Sequence, residues 1–439
     1  MNKIRNNKKT IISWAFYDWA NSAYNLVITS TIFPAYYTAI TSDNNNSTVD
    51  YVDFLGFKFV NSSLYSYSMA FAFLIIALIS PILSSIADTK GNKKSFMKFF
   101  TYLGGLACCG LVFFDQNSLT VGIVFFILAT LGFWGSLVFY NAYLPEIATI
   151  DQQDIVSAKG FTYGYIGSVI LQLICFAFVF FPSFFGLKNE GEASRLSFFM
   201  VGVWWIGFAQ IPFLFLPRSK QETKNISGNI FTDGFFKLKK VWDHAKHMKY
   251  LKRFLFAFFF YSMGVQTVML VATLFGEQEL NLGTEKLIAT ILILQLVAIP
   301  GALGMSYLAK NKFGNVNVLI GVVIIWIGAC VGGYFVETEI QFYILAGMIG
   351  LVMGGIQSLS KSTYSKFLPQ NNTEFSSYFS FYDVTEKVAL VFGMFSFGFI
   401  GELFGMRNSV VVLASFFIIG LVFLFLLKRA EPKTLKAVA

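Results

Sequence analysis

Within residues 14–25, "WAFYDWANSAYN", Asp18, Asn21 and Asn25 interrupt a run otherwise apolar enough to cross a bilayer. An acid at that depth can carry a proton or hold a substrate ammonium, and amides can both donate and accept hydrogen bonds with the same solute. At about 100° per residue, Asp18, Asn21, Ser22, Asn25, Thr29 and Tyr36 fall within about 60° of one direction. One face of that helix is therefore polar over most of its length. Two roles stay open for Asp18. It is either a coupling or amine-binding acid, or a structural acid that caps or cross-links helices at an inner gate.

Other polar residues sit inside apolar runs. Asp383 and Lys387 are four apart, with Glu386 beside them, so a local ion pair is the plain account. The sharper account has Lys387 facing a cavity, where it binds a substrate carboxylate or pairs with Asp18 when an inner gate shuts. Gly350, Gly354, Gln357, Lys361 and Tyr364 share one helical face. The glycines allow close helix approach or backbone contact with a ligand, and Gln357 can bind solute or simply pack. Trp134 and Asn141 also share a face, although Asn141 could instead satisfy backbone groups freed by Pro145. Gln172, Gln266 and Gln295 are weaker candidates, each suited to one interhelix hydrogen bond. His244 and His247 lie in a basic loop without the further ligands a metal site needs, and the four cysteines lie in apolar stretches without metal spacing. No cofactor is expected.

The elements that position these residues follow from composition. The chain has 439 residues, 56% hydrophobic and 13% charged, against roughly 25% charged in a soluble domain. Twelve segments can span a membrane: about 11–40, 64–87, 96–114, 119–144, 158–181, 196–217, 253–275, 285–309, 316–336, 340–362, 383–403 and 409–428. The apolar run after the basic N-terminus is too long for a signal peptide, so it reads as a retained first helix. Of the 33 Lys and Arg, Lys58, Lys188, Arg195, Lys286 and Arg407 fall in outer loops and Lys387 within a helix. All others fall on inner segments if both termini are cytoplasmic, so the basic residues set orientation and need no nucleic acid to explain them. The longest inner loop divides the chain into an N-terminal six-helix half (1–217), a cytoplasmic linker (218–252) and a C-terminal half with its tail (253–439). In the linker, Phe235, Leu238, Trp242 and Ala245 share a face among lysines, as in an interfacial amphipathic helix.

Six plus six helices around a central loop is the major facilitator arrangement: an all-α membrane protein of two halves with pseudo-two-fold symmetry. The stretch "SSIADTKGNKK" (84–94) resembles that superfamily's signature after helix two, with Asp88, Gly91, Lys93 and Lys94 in place and Ser84 for the first Gly. A tight turn, an acid capping a neighbouring helix and bases at the lipid surface are its physical needs. In the second half "YLAKNKFGNVN" (307–317) keeps Gly314 and the bases but lacks the acid. More specifically, "WAFYDWANSAY" (14–24), "FYNAYLPEIA" (139–148), "KGFTYGYIGS" (159–168), "GGIQSLSKSTYSKFLPQ" (354–370) and "EFSSYFSFYDVTEK" (374–387) resemble the family first named for unknown major facilitators. That family includes the fungal autophagy-linked vacuolar amino-acid effluxer. Lys361 stands where the family has Arg, and Asp383 and Glu386 where it has small or neutral residues.

The resemblance implies that helix one lines a central cavity and that the chain moves a small solute, with amino acids as the best-supported class. The expectation is a secondary transporter, proton-linked; no ATP-binding loop of the G-x-x-x-x-G-K-[ST] type is present, so the driving force would be a gradient. Asp18, Asn21, Asn25, Trp134, Asn141, Gln357 and Lys387 are the expected binding or coupling residues; Asp88, Gly91, Lys361 and Glu386 the expected gating or structural ones. A non-transporting receptor or scaffold on the same fold is the alternative, and a membrane enzyme lacks the clustered acids and histidines it would need. Composition rich in Asn, Lys, Phe and Ile, with short loops, favours a bacterial cell (inner) membrane over a vacuole, and a monomer acting with lipid, solute and protons is expected.

Overall fold

The computed structural model describes residues 5–42, 50–218, 230–369 and 374–430. Helix one runs as Lys8–Ala23, a π-helical stretch Tyr24–Thr31, and Ile32–Thr41. Helices two to six are Asn61–Lys90, Lys93–Gly110, Leu119–Asn141, Gln153–Phe180 and Glu190–Phe215. A linker helix, Ile230–Ala245, precedes helices seven to twelve: Lys249–Leu280, Thr284–Leu308, Asn315–Tyr334, Glu339–Phe367, Phe375–Phe404 and Met406–Ala430. Among the described residues eleven helices are each long and apolar enough to cross a membrane. Helix one reaches that length as its three segments together, completing the twelve-helix major facilitator fold.

Several helices outrun their hydropathic segments. Helix five begins at Gln153, helix ten ends at Phe367 and helix eleven begins at Phe375. Lys361 lies within helix ten, on the helical stretch where the sequence places it, and does not count among the inner-loop bases. These added turns carry buried polar side chains such as Asp154, Ser365, Ser376 and Ser377. They are covered by protein rather than lipid, so a hydropathy window ends before they do.

The fold also contains an element absent from an all-helical reading. Strands Tyr51–Phe54 and Phe57–Val60 pair antiparallel, with Asp53 opposite Lys58. The two-residue turn has both φ positive, 52° at Leu55 and 83° at Gly56, which suits the right-handed twist of a hairpin.

Two buried cores flank the linker. One joins helices one to six, from Ile11 to Leu216. The other gathers helices seven to twelve and takes in Ala142, Ala158 and Tyr165 from helices four and five. Between the halves, helix two packs on helix eleven, and helix five on helices eight and ten. Large apolar side chains such as Leu74, Leu78, Leu106, Phe399 and Ile418 stay exposed on the outside of the bundle, as a lipid-facing surface requires. The linker helix buries Val241 and Ala245 and packs against helices two and eleven, leaving Phe235 and Trp242 exposed.

Candidate functional site

Helix one shapes the site through its π-helical stretch. Pro34 brings no N–H, so the backbone ahead of it cannot keep a regular ladder. Hydroxyls compensate: Ser30 Oγ donates to Asn25 O (3.0 Å), and Thr31 Oγ1 lies 2.7 Å from Leu26 O and 2.9 Å from Gln172 Oε1. The wider turn also shifts the helical phase. Asp18, Asn21, Ser22, Asn25 and Thr29 keep one face, and Ser30 joins them. Tyr36 leaves it. The sequence places Tyr36 on the stripe, but its ring is buried and its hydroxyl donates to Phe114 O (2.6 Å).

That face borders a cavity of about 180 Å³ between the halves. The cavity is continuous, through Asn25, Thr29, Met269 and Gln295, with a more apolar vestibule of about 620 Å³ whose walls include Pro34, Tyr65, Thr273 and Ile291. The vestibule lies toward the far end of the bundle, opposite the end where helix one starts and helix twelve finishes. Trp134 and Asn141 of helix four and Gln357 of helix ten also line the cavity, and so do Lys361 and Glu386.

Among the described residues, three charges reach the cavity wall. Asp18 Oδ2 accepts the Tyr140 hydroxyl at 2.7 Å, and Trp14 stacks on Tyr140 with ring centres 4.4 Å apart. Helix five comes close here because Gly160 has no side chain: a Cβ would meet Asp18 Oδ2 and Tyr140 Oη at 2.8 Å each. Lys361 Nζ crosses from the second half into this corner. It sits 4.2 Å from the Phe161 ring centre, 5.0 Å from Tyr140 and 5.6 Å from Trp14, an aromatic cage for an ammonium. Glu386 Oε1 accepts from Gln266 Nε2 at 3.0 Å.

Lys387 does not line the cavity. Its ammonium is bound to Asp383 Oδ1, lies 3.6 Å from Glu386 Oε2 and sits 3.7 Å from the centre of the Trp134 ring. The local ion pair describes it, and the pairing with Asp18 does not form here. The cavity cation is Lys361, which the sequence places among gating residues. Gly350 and Gly354 serve close helix approach: a Cβ on either would strike the backbone oxygens of Leu294 and Ala298 on helix eight.

The amides divide into satisfied and unsatisfied groups. Gln357 Oε1 accepts the Tyr165 hydroxyl across the halves (2.7 Å), and Gln266 holds Glu386. Asn21 is 1% exposed and neither its oxygen nor its nitrogen has a partner; Asn141 Oδ1 and Gln295 Oε1 also lack one. Pro145 lies in the first turn of a separate short helix, Leu144–Ile147, where its missing N–H frees no carbonyl for Asn141 to satisfy. Buried amides without partners cost about 1–3 kcal/mol each, so they point to a guest that pairs with them.

At the near end of the bundle two polar clusters, here called latches, tie helices together. Asp88, at the end of helix two, accepts the backbone N–H groups of Ser376 (3.1 Å) and Ser377 (2.7 Å) and the Ser377 hydroxyl (2.8 Å) at the start of helix eleven. Gly91 ends helix two with φ 63°, a left-handed cap suited to glycine. Lys93 is buried and pairs with Glu146, while Lys94 Nζ donates to Leu216 O (2.8 Å). The second latch was not legible in the sequence. Asp154, at the start of helix five, accepts Asn315 Nδ2 (2.6 Å) and Lys366 Nζ (2.5 Å), and Lys366 also donates to Asn315 Oδ1 (2.9 Å).

Known proteins share this architecture. The MFS-type transporter YxiO of Bacillus subtilis is 32% identical over 414 residues, covering 94% of this chain and 93% of that protein. Autophagy-related protein 22 of Kluyveromyces lactis is 24% identical over 447 residues, covering 90% of this chain and 88% of that one. Among solved structures, the proton:xylose symporter XylE superposes with a TM-score of 0.70 at 13% identity, over 95% of this chain and 94% of that one. FucP in the outward conformation gives 0.65 at 13% identity, over 95% and 98%. The profile of the family described as vacuole effluxer Atg22 like matches residues 6–434, and the chain belongs to that family of membrane transporters.

Proposed function

We propose that this secondary transporter moves a small zwitterionic solute, most directly an amino acid, by alternating access coupled to protons. The observation that carries the reading is the corner where Lys361, Asp18 and the unpartnered Asn21 meet at the cavity wall. A caged ammonium complements a solute carboxylate, Asp18 complements a solute ammonium, and the amide of Asn21 both donates and accepts. A solute carboxylate that reaches Lys361 also offsets the cost of holding that cation away from water. The fungal relatives' family description, a vacuole effluxer, agrees with solute movement, and XylE is a proton-linked member of the same fold.

The basic residues orient the chain with both termini in the cytoplasm of a cell (inner) membrane. In that orientation the vestibule faces outward, the two latches close the cytoplasmic side, and Asp88, Gly91 and the Asp154 cluster are gate residues. The two six-helix halves rock about the cavity, with 218–252 as the tether between them.

Thermal unfolding of the purified chain against amino acids, sugars and nucleosides tests the solute class, because a ligand that binds the native state raises its stability by mass action. Amino acids should raise Tm, and Lys361→Gln should abolish the rise. Stabilisation by a sugar or nucleoside, with no response to any amino acid, would overturn the zwitterion reading.

A further inference from the structure

We infer that Glu386 is the acid that carries the coupling proton, and that its charge acts on the opposite half through Lys387 and Trp134. The inference rests on the proton-coupled reading above and says which residue performs the coupling.

A coupling acid needs a path to cavity water, no counter-charge committed to it alone, and a link to something that moves. Three acids sit in the helices around the cavity. Asp383 is tied to Lys387 and does not line the cavity, so it has no path. Asp18 lines the cavity but is only 5% exposed, and it is held by the Tyr140 hydroxyl and by the close approach of Gly160. Glu386 keeps 21% of its side chain exposed, the most open of the three. Its Oε1 accepts from a neutral amide, Gln266 at 3.0 Å, and its Oε2 lies 3.6 Å from a Lys387 ammonium that is bound more closely to Asp383.

The local charge balance singles out the same residue. Asp383, Glu386 and Lys387 form a cluster of two carboxylates and one ammonium, and the ammonium is committed to Asp383. With Asp18 and Lys361 at the same wall the count is three carboxylates to two ammoniums; Lys361 stands between Asp18 and Glu386 and Lys387 is held by Asp383, so Glu386 carries the surplus. A surplus charge in a medium of low dielectric is costly, and one proton removes it. The charged and titratable groups around Glu386 come from four elements: Lys387, Asp383 and Tyr382 on helix eleven, Lys361 on helix ten, Tyr261 on helix seven, and Asp18 across the cavity acting through Lys361. Helix four brings the uncharged Trp134 and Asn141.

Trp134 supplies the link to motion. The Lys387 ammonium lies over its ring at 3.7 Å, joining helix eleven of one half to helix four of the other. An ionised Glu386 competes with that ring for the ammonium. A proton passing from cavity water to the Glu386 carboxylate ends the competition, and Lys387 settles on Asp383 and Trp134. Protonation therefore tightens one tie between the halves, and deprotonation loosens it.

The test uses proteoliposomes holding the full chain and a labelled mixture of the proteinogenic amino acids. Two quantities are read: accumulation driven by a pH gradient, and solute exchange at equal pH on both sides, measured from pH 5 to 8. Wild type should accumulate, and its exchange should vary with pH. Glu386→Gln should lose accumulation, roughly tenfold or more, while exchange stays measurable and becomes flat with pH. Glu386→Asp, which keeps an acid, should accumulate again with a displaced pH profile. Gradient-driven accumulation by Glu386→Gln at the wild-type level would overturn the assignment alone. Absence of gradient-driven accumulation in wild type, with exchange intact, would overturn proton coupling and this inference with it. If Glu386→Gln proves inactive altogether, Glu386→Asp decides: exchange without accumulation in that variant overturns the proposal.

Discussion

The two latches at the near end do the same job with opposite chemistry. At the first, an acid from the end of helix two meets the start of helix eleven, and its partners are two backbone N–H groups and one hydroxyl. At the second, which pseudo-symmetry relates to the first, the end of helix eight meets the start of helix five. Here the helix-two acid has no counterpart: Asn311 stands three residues before Gly314, as Asp88 stands three before Gly91. The acid has moved to the other partner. Asp154 belongs to helix five itself and reaches across to Asn315 and Lys366. Lys310, at the end of helix eight, donates to Gln152 Oε1 at 3.2 Å. A helix N-terminus offers fixed partial charge that no substitution of a side chain removes. An ion pair offers a full charge that is stable only while both partners stay. One fold position can thus be closed by either device, and the two should fail differently.

The largest effect is expected at the ion pair. Asp154→Ala leaves the Lys366 ammonium mostly buried without its carboxylate, at a cost of about 3–5 kcal/mol. The closed gate should lose roughly a hundredfold or more in population. Distances between spin labels at the exposed positions 151 and 312 measure this, as a shift from one short separation to a longer one. Adding Lys366→Met should restore most of the closed population, because the second change removes the stranded charge. If the double variant is as open as the single one, the latch does not act as a charge pair, and the contrast between the two latches collapses.

A smaller loss is expected at the helix N-terminus. Asp88→Ala removes a cap from helix eleven, worth about 1–2 kcal/mol, and should open the gate several-fold to about thirtyfold by the same measurement. No neutralising second substitution should rescue it, since two of its donors are backbone groups. Rescue by a single basic-to-neutral change nearby would place Asp88 in the same class as Asp154.

The parts of this arrangement legible in the sequence are those written in lipid-facing residues. Apolar runs located the membrane helices because bilayer contact demands them. The polar face from Asp18 to Thr29 was legible because α-helical spacing holds as far as Ala23 and Asn25 and Thr29 still border the cavity early in the π-helical stretch. Tyr36 was misplaced because the π-helical turn before Pro34 resets the phase, and no pattern in "YNLVITST" announces it. The second latch escaped for a different reason. Asp154, Asn315 and Lys366 are polar residues at helix ends, where hydropathy reads loop, and the hydrogen bonds that unite them join residues 161 and 212 positions apart. Lys361, and not the expected Lys387, borders the cavity for a related reason. Each lies close to acids, and packing alone decides which faces the cavity. The Trp134 ring and Asp383 claim Lys387, while Phe161, Tyr140 and Trp14 draw Lys361 to the cavity wall.

The finest test separates the side-chain part of the first latch from its backbone part. Ser377 contributes to Asp88 twice, through its N–H at 2.7 Å and its hydroxyl at 2.8 Å, both to Oδ2. Ser377→Ala deletes the hydroxyl and keeps the N–H. A net hydrogen bond to a charged group is worth about 1.5–3 kcal/mol, yet Oδ2 keeps its second donor, so the loss should fall below that range, to about 1 kcal/mol. The gate should open by roughly fivefold, less than for Asp88→Ala. Should Ser377→Ala equal Asp88→Ala, the hydroxyl rather than the helix terminus holds that latch. Both latches would then be side-chain devices, and the backbone would have no special part in the one that carries the superfamily's signature acid.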